Sequence, residues 1–214
     1  MTRNSKLLTI TITAMAALLL AGIAVVQAAE KESTPGQVGS VVDDFTLTDT
    51  AGKEHTLSEY LAKHDAVILE WFNPDCPYVK KYHDGPNPSM GEAFDFISDK
   101  DIAWMAVNSG APGKQGHGVD RNAKAKADYG LDYPILLDGD GSVGRSFNAT
   151  STPQLFLIGK DGTLLYNGGV DDTRVNSDTP GVNYMIDAVK QFVAGKEINP
   201  ATTPHPGCSV KYAK

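Results

Sequence analysis

The stretch that most constrains this chain is residues 66–83, AVILEWFNPDCPYVKKYH. Residues 66–72 are almost continuously apolar and of strand length, the pattern of a strand buried on both faces. Asn73-Pro74-Asp75 breaks that run, because proline lacks a backbone donor and keeps the residue before it out of helical conformation. Cys76 comes next, and Pro77 suits the first position of a helix, where its missing N–H would have no partner in any case. A buried strand that restarts as a helix sets Cys76 at or near the first turn. Free backbone amides and the positive end of the helix dipole favour thiolate over thiol there. Lys80, four residues on, lies one turn away on the same face and adds a second positive charge.

The N-terminus stays out of the fold. Arg3 and Lys6 precede an apolar segment, 7–26, interrupted only by three threonines and a glycine, and Val26-Gln27-Ala28 offers small residues for a peptidase. Residues 1–28 read as a secretory signal peptide, so the protein is expected to be exported, periplasmic or secreted. The competing reading is an uncleaved anchor facing the periplasm, since 7–26 is just long enough to span a bilayer. Residues 29–41 read as a linker, 42–196 as one domain, and 197–214 as a tail carrying Cys208. The net charge of −7, with no Lys/Arg-rich run, argues against a nucleic-acid partner. Two cysteines make at most one bridge, so a hydrophobic core must hold the domain.

Along the chain, residues 45–57 look like a hairpin with a glycine turn, and 57–62 like a short helix. Ser89 is placed to cap a helix with Met90, Phe94 and Ile97 on one face. Residues 102–107 read as a second buried strand, 109–118 as a loop, and 120–129 as a helix stopped by Gly130. A short strand at 133–137, a turn at 138–141 and a helical turn at 143–147 follow. Strands at 155–158 and 164–166 form an antiparallel hairpin. Asn183 can cap a last helix with Met185, Ile186, Val189, Phe192 and Val193 on one face. Residues 171–181 and the proline-rich tail are loop-like. Strands alternating with helices argue for an α/β fold with parallel pairing, and the late hairpin makes the sheet mixed.

These residues also resemble a family. The buried strand, the helix-starting Cys76-Pro77 and the later Thr152-Pro153 before a hydrophobic strand resemble the thioredoxin fold. The hairpin and the Leu137-Asp138-Gly139 turn resemble its peroxiredoxin and TlpA-like branches. Cys76-Pro77-Tyr78-Val79-Lys80 and the tail Gly207-Cys208-Ser209-Val210-Lys211-Tyr212 are similar to peroxiredoxin-like redoxins of the AhpC/TSA-like type. The resemblance implies a thioredoxin-like α/β fold: a mixed central sheet flanked by helices, with an N-terminal hairpin extension. Two departures stand out. Asn73 takes the place of the first cysteine of a Cys-x-x-Cys pair, or of the threonine of a peroxiredoxin's Thr-x-x-Cys. Ser151-Thr152-Pro153 stands where peroxiredoxins carry an arginine, and nothing maps the nearby Arg145 onto that role.

On this resemblance Cys76 attacks a peroxide or a disulfide, and Asn73 and Lys80 tune its thiolate. Cys208 is either a resolving thiol or half of a permanent Cys76–Cys208 bridge. A cis Thr152-Pro153 bond docks a thiol-bearing partner. The implied function is a peroxiredoxin-like oxidoreductase reducing peroxide or protein disulfide, reset by an external thiol reductant. One alternative is a thiol–disulfide oxidoreductase with no peroxidase activity. Another is a non-catalytic binding module that uses the bridge as a staple. Glu70 reads either as a proton acceptor for the thiol or as a polar residue at a strand edge. Trp71 and Phe72 read as core or site wall. The five histidines are scattered, so neither metal nor cofactor is expected.

Overall fold

The computed structural model describes residues 35–173 and 181–214. The expected signal peptide lies outside the described residues, as does part of the loop at 171–181. Among the described residues no helix is long and apolar enough to cross a membrane.

The hairpin is β1 (Thr46–Asp49) and β2 (Glu54–Thr56), followed directly by α1 (Leu57–Leu61). The apolar run is β3 (Ala66–Trp71), every residue of it buried, and α2 (Pro77–His83) begins after the expected break. Then come α3 (Ser89–Ile97), β4 (Ile102–Asn108), α4 (Val119–Asp128), β5 (Ile135–Leu137) and α5 (Ser142–Ser146). The two-residue β6 (Ser151–Thr152) leads into β7 (Gln154–Gly159) and β8 (Leu164–Gly168). Helix α6 (Tyr184–Val193) and a second two-residue strand, β9 (Cys208–Ser209), complete the order.

Seven strands form one sheet in the order β2-β1-β5-β4-β3-β7-β8. β3 pairs parallel with β4, and β4 with β5; the remaining pairs are antiparallel. The sheet is mixed, as the strand–helix alternation and late hairpin implied. Alternation along β3 divides the core. Ala66 and Ile68 join a cluster with Val79, Met90, Ala125 and Val189, from α2, α3, α4 and α6. Val67, Leu69 and Trp71 join the other, with Leu57 of α1 and Val143 of α5. Helices therefore cover both faces, which is why β3 reads as a continuous apolar run rather than an alternating one. Each large apolar side chain so buried contributes about 1.5–3 kcal/mol.

Three expectations are corrected. Ser89 does not cap α3; Pro88 holds that position, and the Ser89 hydroxyl donates instead to Asp171 Oδ2 at 2.6 Å. Ser89 is instead the first residue of the helix, and its hydroxyl makes a charge-assisted bond to a buried carboxylate. Val193 is 58% exposed, and Ala188 takes its place on the buried face of α6. The tail is not wholly loop-like, because β9 pairs antiparallel with β6. Asn183 caps α6 as expected, accepting from the Ile186 amide at 3.0 Å. Within the expected linker, Val41 bridges to Thr163, and the Gly39 amide donates to Leu164 O at 2.8 Å.

Candidate active site

The Phe72 amide still donates to Val107 O, at 2.8 Å, and then the chain turns. Asn73 Oδ1 accepts from the Asp75 amide at 2.9 Å, and the Cys76 amide donates to Asn73 O at 3.0 Å. This side-chain-closed turn competes successfully with continued strand pairing. Cys76 keeps extended dihedrals (φ −76°, ψ 124°) and is the N-cap of α2. The turn is also held from outside. Arg121 of α4 donates to Asp75 Oδ1 through Nε (2.9 Å) and Nη2 (2.6 Å), and through Nη2 to Pro74 O (2.9 Å). Tyr129 Oη donates to Pro74 O at 3.2 Å, and Gln115 Nε2 to Asp75 O at 3.1 Å. These three clamps lie some forty to fifty-five positions away in sequence, so no local pattern announces them.

Cys76 is fully buried, and its thiol donates to Thr152 O at 3.1 Å. Thr152 ends β6, and the Thr152–Pro153 bond is cis. Cys208 lies directly opposite Thr152, and Ser209 opposite Ser151. Thr152 Oγ1 donates to Cys208 O at 3.4 Å, and the Val210 amide to Thr150 O at 3.2 Å. Both cysteines are free thiols, and Cys208 is partly exposed. The fold therefore brings Cys76, Cys208, Thr152 and Pro153 together.

Asn73 and Lys80 are placed differently. The hydrogen bonds of the Asn73 side chain go to the turn and, through Nδ2, to Gln115 O at 3.4 Å. Gly116, at φ +78°, lies so close that a β-carbon there would collide with the Asn73 amide. Lys80 is exposed on the outer side of α2.

The two sulfurs differ in acidity. Burial by itself pushes the Cys76 thiol up. Hydrogen bonds from the Cys208 and Thr152 side chains and from the Val79 and Cys208 amides outweigh it, and its pKa falls below the ordinary thiol value. Burial pushes Cys208 up as well, and its bond to Cys76 adds to that, bringing it to about 11. The two sulfurs titrate as a coupled pair, one step below and one above the ordinary thiol value.

The tail that carries Cys208 is pinned on both sides. Upstream, His205 Nδ1 lies 2.7 Å from Ser151 Oγ, which also donates to His205 O at 3.0 Å. Gly207 packs so tightly that a β-carbon would strike the Thr152 carbonyl. Downstream, the Ala111 amide donates to Lys211 O (2.9 Å) and Tyr212 Oη to Ala149 O (2.8 Å). The Arg145 guanidinium sits 4.6 Å over the Tyr212 ring, and its Nη2 donates to Ala213 O at 3.0 Å. Arg145 therefore serves the tail. Gly141 and Gly144 leave the space that the Tyr212 ring fills.

Glu70 is neither at a strand edge nor bonded to the thiol. It is fully buried in β3, between β4 and β7, with Oε1 2.7 Å from His83 Nε2. Tyr133 Oη (3.1 Å) and Trp104 Nε1 (3.4 Å) donate to Oε2. The other histidines are engaged separately: His55 with Asp49 and Tyr60, His64 with Asp101, His117 with Gly110 O. Among the described residues no group of three His, Cys, Asp or Glu could hold a metal ion.

Comparison with known proteins places this geometry in context. The Redoxin family model matches residues 37–186. The thiol-disulfide oxidoreductase ResA of Geobacillus kaustophilus (strain HTA426) is 32% identical over 133 residues, 62% of this chain and 70% of that protein. A hypothetical protein from Sinorhizobium meliloti 1021 superposes with a TM-score of 0.71 at 25% identity, over 86% of this chain and 98% of its own. An uncharacterized conserved protein from Geobacillus kaustophilus gives 0.72 at 24% identity, over 85% and 95%. That match takes in Cys76, Thr152 and Pro153 and ends within α6, before Cys208; the chain belongs to the Redoxin family, with a thioredoxin-like fold.

Proposed function

We propose that the protein is an exported thiol–disulfide oxidoreductase acting on protein disulfides, with Cys76 as nucleophile and Cys208 as resolving thiol. The observation that carries this reading is the meeting of two free thiols at Thr152, one donating to its carbonyl and the other directly opposite it in the β6–β9 pair. The ionised Cys76 sulfur attacks a partner's disulfide. The partner's S–S bond breaks, a mixed disulfide forms, and one partner sulfur leaves as thiolate. Cys208, once deprotonated, attacks Cys76 Sγ, releasing the second partner sulfur and closing a Cys76–Cys208 bridge. The partner gains two electrons and the protein loses two, which an external dithiol reductant restores. The pattern of residues 1–28 supports action outside the cytoplasm.

Disulfide exchange is favoured over peroxide reduction on three grounds. Curated relatives are named as thiol-disulfide oxidoreductases. Asn73 is occupied in its own turn and Arg145 under the tail, so neither supports a peroxide pocket at Cys76. Cys76 already faces a backbone carbonyl and a second thiol, the surroundings a mixed disulfide needs.

Reduction of a protein disulfide, followed alongside consumption of hydrogen peroxide, tests the reading. The reduced protein is expected to reduce the disulfide and finish as the Cys76–Cys208 bridged form. Cys76→Ser abolishes exchange, and Cys208→Ser traps a mixed disulfide. A Cys76-dependent burst of peroxide consumption without disulfide exchange would return the protein to the peroxidase class. Loss of thermal stability on reduction, with neither activity, would leave a staple.

A further inference from the structure

The site as it stands is closed. Cys76 has no exposed surface, and what covers the Thr152 side of it is the chain's own extended strand. That strand is held by backbone pairing to Ser151–Thr152, by the Val210 amide on Thr150 O, and by a contact at Gly207 that admits no side chain. Such a ladder recognises any extended peptide through its backbone, while side-chain room sets which sequences fit. Residue 207, the position before the cysteine, is pressed against the Thr152 carbonyl, whereas Ser209, the position after it, is exposed.

We propose that the tail 205–212 occupies the Ser151–Thr152 edge as an internal stand-in for an extended partner segment, and that the partner's cysteine, like Cys208, follows a glycine. This rests on the thiol–disulfide reading and deepens it. A partner segment and the tail compete for the same backbone groups, so the tail leaves before a protein disulfide reaches Cys76. Its return then does two things together. It brings Cys208 to the mixed disulfide and takes back the edge held by the partner, so resolution and release are one movement. The anchors that set the balance are Tyr212 on Ala149 O and Arg145 over the Tyr212 ring. A few such contacts give a local opening far cheaper than global unfolding.

The test uses the full chain carrying Cys208→Ser, in which Cys76 is the only thiol, and follows its alkylation by N-ethylmaleimide. Adding Tyr212→Ala is expected to speed alkylation at least tenfold. Arg145→Gln, a milder change at an exposed end of the same contact, is expected to speed it by a smaller factor with the melting temperature unchanged. A synthetic peptide of sequence HPGSSVKY, lacking the thiol, should restore protection in the Tyr212→Ala protein; the same peptide with valine for glycine should not. Should Tyr212→Ala fail to fold, Arg145→Gln carries the peptide experiment. Unchanged alkylation in a folded Tyr212→Ala or Arg145→Gln protein, or equal protection by both peptides, overturns the proposal. The bridge formed by the wild-type protein during disulfide reduction, measured in parallel, separates the two failures. If it still forms, the oxidoreductase reading stands and only the docking strand is lost.

Discussion

Thr152 is bound from two directions: its carbonyl receives the Cys76 thiol, and its backbone lies directly opposite Cys208. One residue thereby fixes the distance between two sulfurs that are far apart in the sequence. The lowered pKa of Cys76 comes from the Cys208 side of that arrangement, whose side chain leads the groups that favour the thiolate against burial.

Cys208→Ala removes that donor. The pH midpoint of Cys76 alkylation, below the ordinary thiol value in the wild-type protein, is expected to rise. The lost interaction is a hydrogen bond that favours the thiolate over the thiol, so its removal moves the midpoint upward. Alkylation against pH, read by mass spectrometry, checks it. A midpoint that stays put would mean that helix-terminal amides alone ionise the sulfur.

Gly207→Ala introduces a β-carbon where the Thr152 carbonyl already sits. Backbone on both sides must shift, so β9 is displaced from β6. Formation of the Cys76–Cys208 bridge by a mild oxidant is expected to slow at least tenfold, as followed by quenched gel shift. The melting temperature should move little, because the main sheet does not include this pair.

Asp171 is buried and accepts from Tyr82 Oη (2.9 Å), Asn87 Nδ2 (3.0 Å), Ser89 Oγ (2.6 Å) and Thr173 Oγ1 (2.5 Å). Burial pushes its carboxyl up, but the Ser89, Thr173 and Asn87 donors outweigh that and hold it below the ordinary 3.8. The sign follows: this stabilisation is full above the unfolded value and is lost as pH falls through the lower native one. Asp171→Ala strands several buried donors, at roughly 3 kcal/mol, or about 6–12 °C in Tm for a domain of this size. Thermal melts from pH 7 to pH 2 should show the variant's deficit shrinking below pH 4.

Glu70→Leu leaves His83 buried without its carboxylate, and costs about 3–5 kcal/mol. Glu70→Gln, which keeps an acceptor, costs less. Neither should move the pH midpoint of Cys76 alkylation, because Glu70 faces His83, Trp104 and Tyr133 rather than the sulfur. Melting and alkylation measured on the same samples separate the structural role from a proton-accepting one.

How far the sequence carried depended on how local the signal was. β3, the break at Asn73-Pro74 and the helix opening at Pro77 follow from adjacent residues, and the structure has them within a residue of the expected bounds. The capping of α6 by Asn183 is equally local. Ser89 looked like a cap for the same reason, but it is the first helical residue and its hydroxyl is directed to a carboxylate more than eighty positions away. Glu70 could not be assigned without His83, thirteen residues on and in another element. The β6–β9 pair has two residues a side, too few for any alternation to register. The cysteine count allowed one bridge, but only the resemblance of the tail motif gave Cys208 a redox role, and nothing in the sequence pointed to Arg121, Gln115 or Tyr129 around the turn.

The small ladder beside the seven-stranded sheet gives the molecule two clocks. Amide protons of β3 and β4 exchange only when the whole core opens, whereas that of Val210 answers to a handful of contacts around Tyr212. The frequency with which the sulfur is uncovered is therefore written in an aromatic ring and the guanidinium stacked on it. Breathing at one margin can be retuned by substitution there while the rest of the molecule keeps its melting point.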